Sequence, residues 1–261
     1  EDDIAFQLGI GCGGTVHIVL QPILAELNYL HLIEVQEQLS QGGMGLYSQL
    51  IATDGKVENY WEMSQLSTDC STQRSSPELI EKDNQTWLLT HLSPPPHLLV
   101  IGAGVDAQPV VQMAKTLGWT VTLWDSRPAN GRREYFMSAD QILRQPLNEL
   151  MEHESAIHWN AAVVMSHNLQ MDADAIKALQ GSAIGYLALL GPASRKQQVL
   201  ALAQLDEKEL SIPFAGPAGL NLGAELPEGI ALSILAECHA VLHGATAQSL
   251  SGVLAAVSET S

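Results

Sequence analysis

The sequence predicts an α/β chain, with a parallel, doubly wound sheet in its C-terminal part and a smaller α+β domain in front of it. Three observations carry that prediction. From residue 97 onward, short apolar runs alternate with amphipathic stretches, the pattern of repeated strand–helix–strand units with right-handed crossovers. One such run, HLLVIGAG, ends in a glycine turn directly before a helical pattern. Three consecutive prolines in HLSPPPH, residues 91–97, favour extended backbone, stop helices and mark a boundary. The organisation read from these features is an N-terminal domain over 1–93, a C-terminal domain over 97–246 and a loosely held tail over 247–261.

In the front part, the alternation in VHIVL and LYSQLIA suits strands, and TDGK suits the turn of a hairpin. Residues 22–40 read as helix, with Leu27, Leu30 and Val35 on or near one face. Residues 64–85 are polar, carry no periodic signal and are expected to form a loop. Downstream, HLLVIGAG is a buried strand entering a turn. QPVVQMAKTLG is a helix with Pro109 in its first turn and Gly118 at its C-terminal cap. TVTLWD and AAVVMSH are further strands, the second an unbroken apolar run of the kind covered on both faces. DADAIKALQG reads as a helix capped by Asp172 and stopped at Gly181. IGYLALLG is a fourth strand and ASRKQQVLALAQL a helix. LPEGIALSILAECHAVLHG is a long helix from Pro227 to Gly244, with Ile230, Ile234, Cys238 and Val241 on one stripe.

Composition narrows the function classes. Of 261 residues, 46% are hydrophobic and 16% charged, which reads as globular. Twelve Lys and Arg stand against 29 Asp and Glu, a net charge of −17. That balance argues against nucleic-acid or anionic-membrane binding, since both need a basic footprint. No apolar run reaches the ~18 residues of a membrane span. Cys12, Cys70 and Cys238 are odd in number and form no CxxC pair, so a disulfide framework is not expected and a reducing, cytoplasmic setting fits. The chain opens on EDD without a signal-peptide pattern.

Three places concentrate chemistry. The first is Gly102, Gly104 and Ala107, a GxGxxA turn between strand and helix, where backbone approaches a phosphate at a helix N-terminus. Asp125 follows Gly102 by 23 positions at the end of the next strand, the spacing of an acid that meets a ribose hydroxyl. Strand, turn, helix and acid together indicate a Rossmann-like fold. They favour NAD(P) less, because Asp106 sits in the turn where its carboxylate would repel a pyrophosphate. The second is Cys12, framed by Gly11, Gly13 and Gly14, where backbone N–H groups can stabilise a thiolate able to hold a soft metal or carry sulfur. A free cysteine in a tight turn is the plainer reading.

The third place is the set of loops at the carboxyl ends of the strands, where ligands of open α/β sheets sit. Arg127, His167, Gly191, Arg195, Lys196, Gly219, Gly223 and Glu225 lie on these loops. Arg127, Arg195 and Lys196 are positioned to neutralise a phosphate, and His167 to act as a general acid or base or to orient a polar group. A solvated charge for Lys196 and a structural role for His167 are the alternatives. His239 and His243, at i,i+4, have the spacing of metal ligands but no third partner, and His243 reads as a partner of the helix dipole.

These motifs converge. GIGCGGTVHIVLQP, VIGAGVDAQPVVQMAKTLGWTVTLWDSRP, VVMSHN, LLGPASRK and GPAGLNLGAELPEGIALSILAE resemble, in order and over nearly the whole chain, the characteristic blocks of the XdhC/CoxI family of xanthine dehydrogenase accessory proteins. The resemblance implies an accessory protein or chaperone more than an enzyme with its own turnover. Such a protein binds the molybdenum cofactor, as molybdopterin or its dinucleotide form, and supports its sulfuration by a cysteine desulfurase. It delivers the cofactor to the apoenzyme of a molybdenum hydroxylase of the xanthine dehydrogenase or CO dehydrogenase type, and it tends to form a homodimer. Cys12 matches the family's cysteine and would contact molybdenum or sulfur. His17 and Gln21 stand where the family has glutamates, Asn221 where it has aspartate and Ala193 where it has arginine. A further SGGC motif that precedes these blocks in the family is absent, so the N-terminal domain is expected to be truncated or divergent. An NAD(P)-dependent oxidoreductase is the alternative.

Overall fold

The computed structural model describes residues 17–64 and 77–254. The chain divides at residues 93 and 94 into two compact units.

The first unit contains a helix, α1 (Leu32–Ser40), and four antiparallel strands: β1 (Gly45–Ile51), β2 (Asn59–Met63), β3 (Glu78–Lys82) and β4 (Gln85–Leu92), in the order β2-β1-β4-β3. Leu30, Val35, Tyr47, Leu50 and Trp87 are its buried apolar residues. The Tyr47 hydroxyl donates to the Leu30 carbonyl at 2.7 Å and accepts from Asn59 Nδ2 at 3.0 Å. Three expectations need correction here. Residues 22–40 are not one helix: Asn28, Tyr29, Leu30 and His31 all take left-handed φ values of 49–61°, and the helix begins only at Leu32. Burial of Leu30 and the bond to its carbonyl override helix propensity. Residues 17–20 of the VHIVL run form no strand; Ile18 and Leu20 are exposed, and an apolar run becomes a strand only where a ladder partner and a buried face exist. The expected loop over 64–85 contains β3 and the hairpin to β4, turned by Asp83 and Asn84 at φ 52° and 59°, both residues tolerant of that region. Residues 65–76 of that stretch lie outside the described residues.

The second unit carries six parallel strands: β5 (His97–Ile101), β6 (Thr120–Trp124), β7 (Gln141–Leu143), β8 (Ala161–Val164), β9 (Tyr186–Leu189) and β10 (Phe214–Ala215). Between them run α2 (Ala107–Thr116), α3 (Leu147–Leu150), α4 (Leu169–Leu179) and α5 (Ala193–Ala203), with α6 (Pro227–Leu242) last. The sheet order is β10-β9-β8-β5-β6-β7. Two short strands, β7 and β10, have no sequence signal of their own; at three and two residues they are too brief for a periodic pattern.

Every residue of β5 is buried, and alternate side chains serve opposite faces. Leu98 and Val100 join Val121, Leu123 and Val163 beneath α2 and α6, where Val111, Ala114, Ile234 and Cys238 close the layer. Leu99 and Ile101 join Trp124, Val164 and Leu189 beneath α4 and α5, where Ile176, Leu179 and Val199 close the other. The chain leaves β5 for β6 and β7 on one side, then returns to lay β8 against the other side of β5. The carboxyl ends of β5 and β8 therefore form a topological switch point, the position where such sheets hold ligands.

Candidate functional site at the switch point

The glycine turn is built by backbone contact. Gly102 leaves β5 at φ +107°, and its N–H donates to the Trp124 carbonyl of β6 at 2.8 Å. A Cβ there would stand 2.5 Å from Ser166 Cα and 2.6 Å from the Met165 carbonyl, so only glycine lets the turn pass under the end of β8. Gly104 is different. The nearest atoms to an added Cβ are those of the His167 ring, at 3.8 and 4.0 Å, so its backbone is bare towards the crevice. Ala107 is fully buried and seats the first turn of α2 on the sheet.

Asp125 anchors the turn from beside it. Its buried carboxylate accepts the Ala103 N–H at 2.8 Å, Asn130 Nδ2 at 3.0 Å and the Arg127 N–H at 2.9 Å. The Arg127 guanidinium grips both oxygens, at 2.8 and 2.6 Å, and its third nitrogen donates to the Ser166 carbonyl at 3.1 Å. Burial alone would raise the Asp125 pKa, but these hydrogen bonds, led by Arg127, outweigh it and hold the group at about 2. Both oxygens are therefore committed within the protein, and none faces outward for a ribose hydroxyl.

A second buried acid supports the β8 end. Asp172 accepts from the Ser166 hydroxyl at 2.5 Å and from Arg195 at 2.5 Å. The α4 N-cap is not Asp172 but Asn168, whose side chain accepts the Met171 N–H at 3.0 Å. The helix starts earlier than expected, which turns Asp172 inward. Gly191, at φ +127°, leaves the room in which the Arg195 stem lies; a Cβ would meet Arg195 Cδ at 2.5 Å. Lys196 is paired with Glu207 at 2.5 Å, donates to the Phe214 carbonyl at 3.2 Å and lies 5.0 Å from the centre of the Phe214 ring. The three cations read from the sequence as phosphate partners thus each hold a carboxylate of the chain itself.

Across the crevice mouth, His167 Nε2 meets Asp106 Oδ2 at 3.1 Å, joining the glycine turn to the β8 loop. His167 holds a left-handed φ of 59°. On the far side, Gly219 at φ +98° packs against Ser233, and its N–H donates to Glu237 Oε2 at 2.9 Å. The Tyr186 hydroxyl donates to the same oxygen at 2.6 Å. Burial, reinforced by Glu237, pushes both the Tyr186 phenol and the Cys238 thiol upward, so Cys238 is no nucleophile. Gly223, at φ +68°, has open space around it, and Glu225 is exposed. Sequence reasoning misses Asn130 and Glu237; for Glu237 the available signal is an acid deep inside a mainly apolar helix.

Cys12 and Cys70 lie outside the described residues. No group of three His, Cys, Asp or Glu among the described residues could hold a metal ion. His243 caps α6 and bonds the His239 carbonyl through Nδ1 at 2.7 Å, and the two rings stack at 3.8 Å. No helix among the described residues is long and apolar enough to cross a membrane.

Comparison with known proteins decides the family. The family described as the XdhC Rossmann domain matches residues 98–238. The chain belongs to the XdhC family. A Bacillus subtilis protein, named as one of the probable subunits of xanthine dehydrogenase, is 30% identical over 91% of this chain and 72% of its own length. An uncharacterised Escherichia coli protein, YqeB, is 32% identical over 54% of this chain and 26% of its own. A solved Bacillus halodurans structure, described as a xanthine dehydrogenase, superposes with a TM-score of 0.65 at 23% identity. It covers 84% of this chain, and this XdhC-family chain spans 66% of it.

Proposed function

We propose that this XdhC-family chain is an accessory protein of a molybdenum hydroxylase of the xanthine dehydrogenase or CO dehydrogenase type. In this reading it binds the molybdenum cofactor, supports its sulfuration by a cysteine desulfurase and passes it to the apoenzyme, acting in the cytoplasm as a homodimer. Family membership supports the coarse role. The observation that carries the cofactor is the bare backbone at Gly104, a cradle that a Cβ would fill, at the switch point of the sheet.

The residues present fit the phosphate end of such a group. Backbone N–H groups of the turn that holds Gly102 and Gly104 would meet the phosphate at the start of α2. Arg195 uses one nitrogen on Asp172, and its remaining donors would serve the phosphate. His167, displaced from Asp106, would donate to a phosphate or pterin oxygen. The bound cofactor would supply the metal centre and transferable sulfur, and Cys12 would offer a soft thiolate towards it. The Asp106 carboxylate at the turn opposes an anion.

The test is the molybdenum and pterin content of the purified full-length chain, with Gly104→Ala and Cys12→Ser alongside. Retention by wild type and loss in Gly104→Ala are expected. Absence of pterin from wild type after loading would overturn the reading. The NAD(P) alternative has the strand order behind it, but Asp125 has no oxygen to give a ribose. Titration with NADH and NADPH decides it, and no micromolar binding is expected.

A further inference from the structure

The last helix departs from the single apolar stripe of an ordinary surface helix. The 16 residues of α6, PEGIALSILAECHAVL, include two acids, Glu228 and Glu237, and no Lys or Arg. Glu228 stands in the first turn, at the positive end of the helix dipole. Glu237 is turned inward, where it accepts from the Tyr186 hydroxyl and the Gly219 N–H. Ile234, Leu235 and Cys238 face the sheet and fill its apolar layer. The outer side is apolar as well. Leu232 is 55% exposed, Val241 41%, and Leu226, just before the first turn, 71%. By helical phase Leu232, Ala236, His239 and His243 form one outer stripe. The contrast is α4, on the other face of the sheet, whose exposed positions are Gln170, Asp174 and Lys177.

The neutral layer extends beyond α6. Helix α2 packs beside it, and the exposed positions on α2 and at its C-terminal end are Gln112, Thr116 and Leu117. Lys115, the one charged residue of α2, is paired with Asp140 at 2.8 Å. Two residues after Leu117, the Trp119 ring stacks on that of His239 with centres 6.1 Å apart, which joins this end of α2 to the outer stripe of α6.

An apolar face of this kind is costly to leave in water, and it has no charge with which to select a charged partner. It suits a second copy of the same chain. Two copies at −17 each repel one another, and they meet most readily where the carboxylates are missing. A two-fold axis also lays each patch on itself, and a neutral apolar patch is complementary to itself where a charged one is not. We propose that the outer face of α6, with the adjoining end of α2, is the surface through which two copies of this chain associate about a two-fold axis. This rests on the homodimer of the proposed function and names the surface that makes it; the cofactor plays no part in it.

The experiment is sedimentation equilibrium of the full-length chain, beside Leu232→Lys and the control Leu202→Lys. Leu202 is exposed on α5, at the other face of the sheet. Each variant adds one positive charge, so overall repulsion falls equally in the two. Both positions are exposed, and an unchanged far-ultraviolet circular dichroism spectrum confirms that the fold is kept. The wild type should be a dimer at micromolar concentration. Leu232→Lys buries an ammonium on each side of the axis and should weaken the dimer at least tenfold, whereas Leu202→Lys should not. Added salt should leave the wild-type dimer unchanged or tighter, since it screens repulsion and breaks no ion pair. A dimer that Leu232→Lys leaves intact, that Leu202→Lys loosens as much, or that salt dissociates overturns the proposal and leaves the homodimer to another surface. A monomeric wild type overturns both and leaves the face to a different protein. Pterin content, measured separately, decides the cofactor reading in either case.

Discussion

Asp125 shows how a single residue can keep its place in a motif and change its task. In the sequence it is the acid at the right spacing for a ribose; in the structure its carboxylate holds the Ala103, Arg127 and Asn130 donors and fastens the glycine turn to Arg127. Removing the charge leaves Arg127 facing a neutral amide in a buried position. Asp125→Asn should cost about 3 kcal/mol in urea unfolding. The folded pKa of about 2 lies below the unfolded value, so this stability is complete above about pH 4 and is lost as pH falls through 2. Wild type should therefore show an acid-unfolding limb in that window that Asp125→Asn lacks. His97 works on a higher range. Burial, helped by His158, lowers its pKa to about 4, and its ring stays neutral against the Thr122 hydroxyl at 2.8 Å. The unfolded chain takes up a proton first, so stability should decline as pH falls from about 6.5 to about 4, by at most ~3 kcal/mol. His97→Gln should flatten the chemical-denaturation profile over that interval.

At the scale of elements, the two glycines of the fingerprint are not equivalent. Gly102 is demanded by packing, because β5 and β8 are adjacent strands and the Ser166 and Met165 backbone fills the space a Cβ would need. Gly102→Ala should destabilise by more than about 2 kcal/mol and lower the Tm, since both φ and space oppose it. Gly104→Ala meets only the edge of the His167 ring and should stay within about 1 kcal/mol of wild type. Gly104→Ala thus separates ligand loss from unfolding. The α4 boundary shows why element ends are hard to read. Asn168 and Asp172 are both good capping residues, and the choice falls to Asn168 because Asp172 has Ser166 and Arg195 as buried partners.

At the scale of the molecule, the second unit carries two complete apolar layers of its own, one on each face of the six-stranded sheet. Residues 94–254 produced alone should unfold in one cooperative transition with a folded circular dichroism spectrum. A fragment without a sigmoidal melt would show that the first unit is needed for folding. The chain's charge of −17 gives no footing for nucleic acid, so binding to heparin or DNA resins is not expected at about 0.15 M salt.

The residue order alone determined the α/β class, the glycine turn between β5 and α2, the long last helix and the family. Those features are written in local periodicity and in glycines whose backbone needs are local. Tertiary structure decided the rest: that β8 lies against β5, that β7 and β10 complete the sheet, and that Arg127, Arg195 and Lys196 each hold an acid of the chain. Which carboxylate a cation meets depends on strand order and helix phase. Asp172 and Arg195 are 23 positions apart, and no spacing rule joins them.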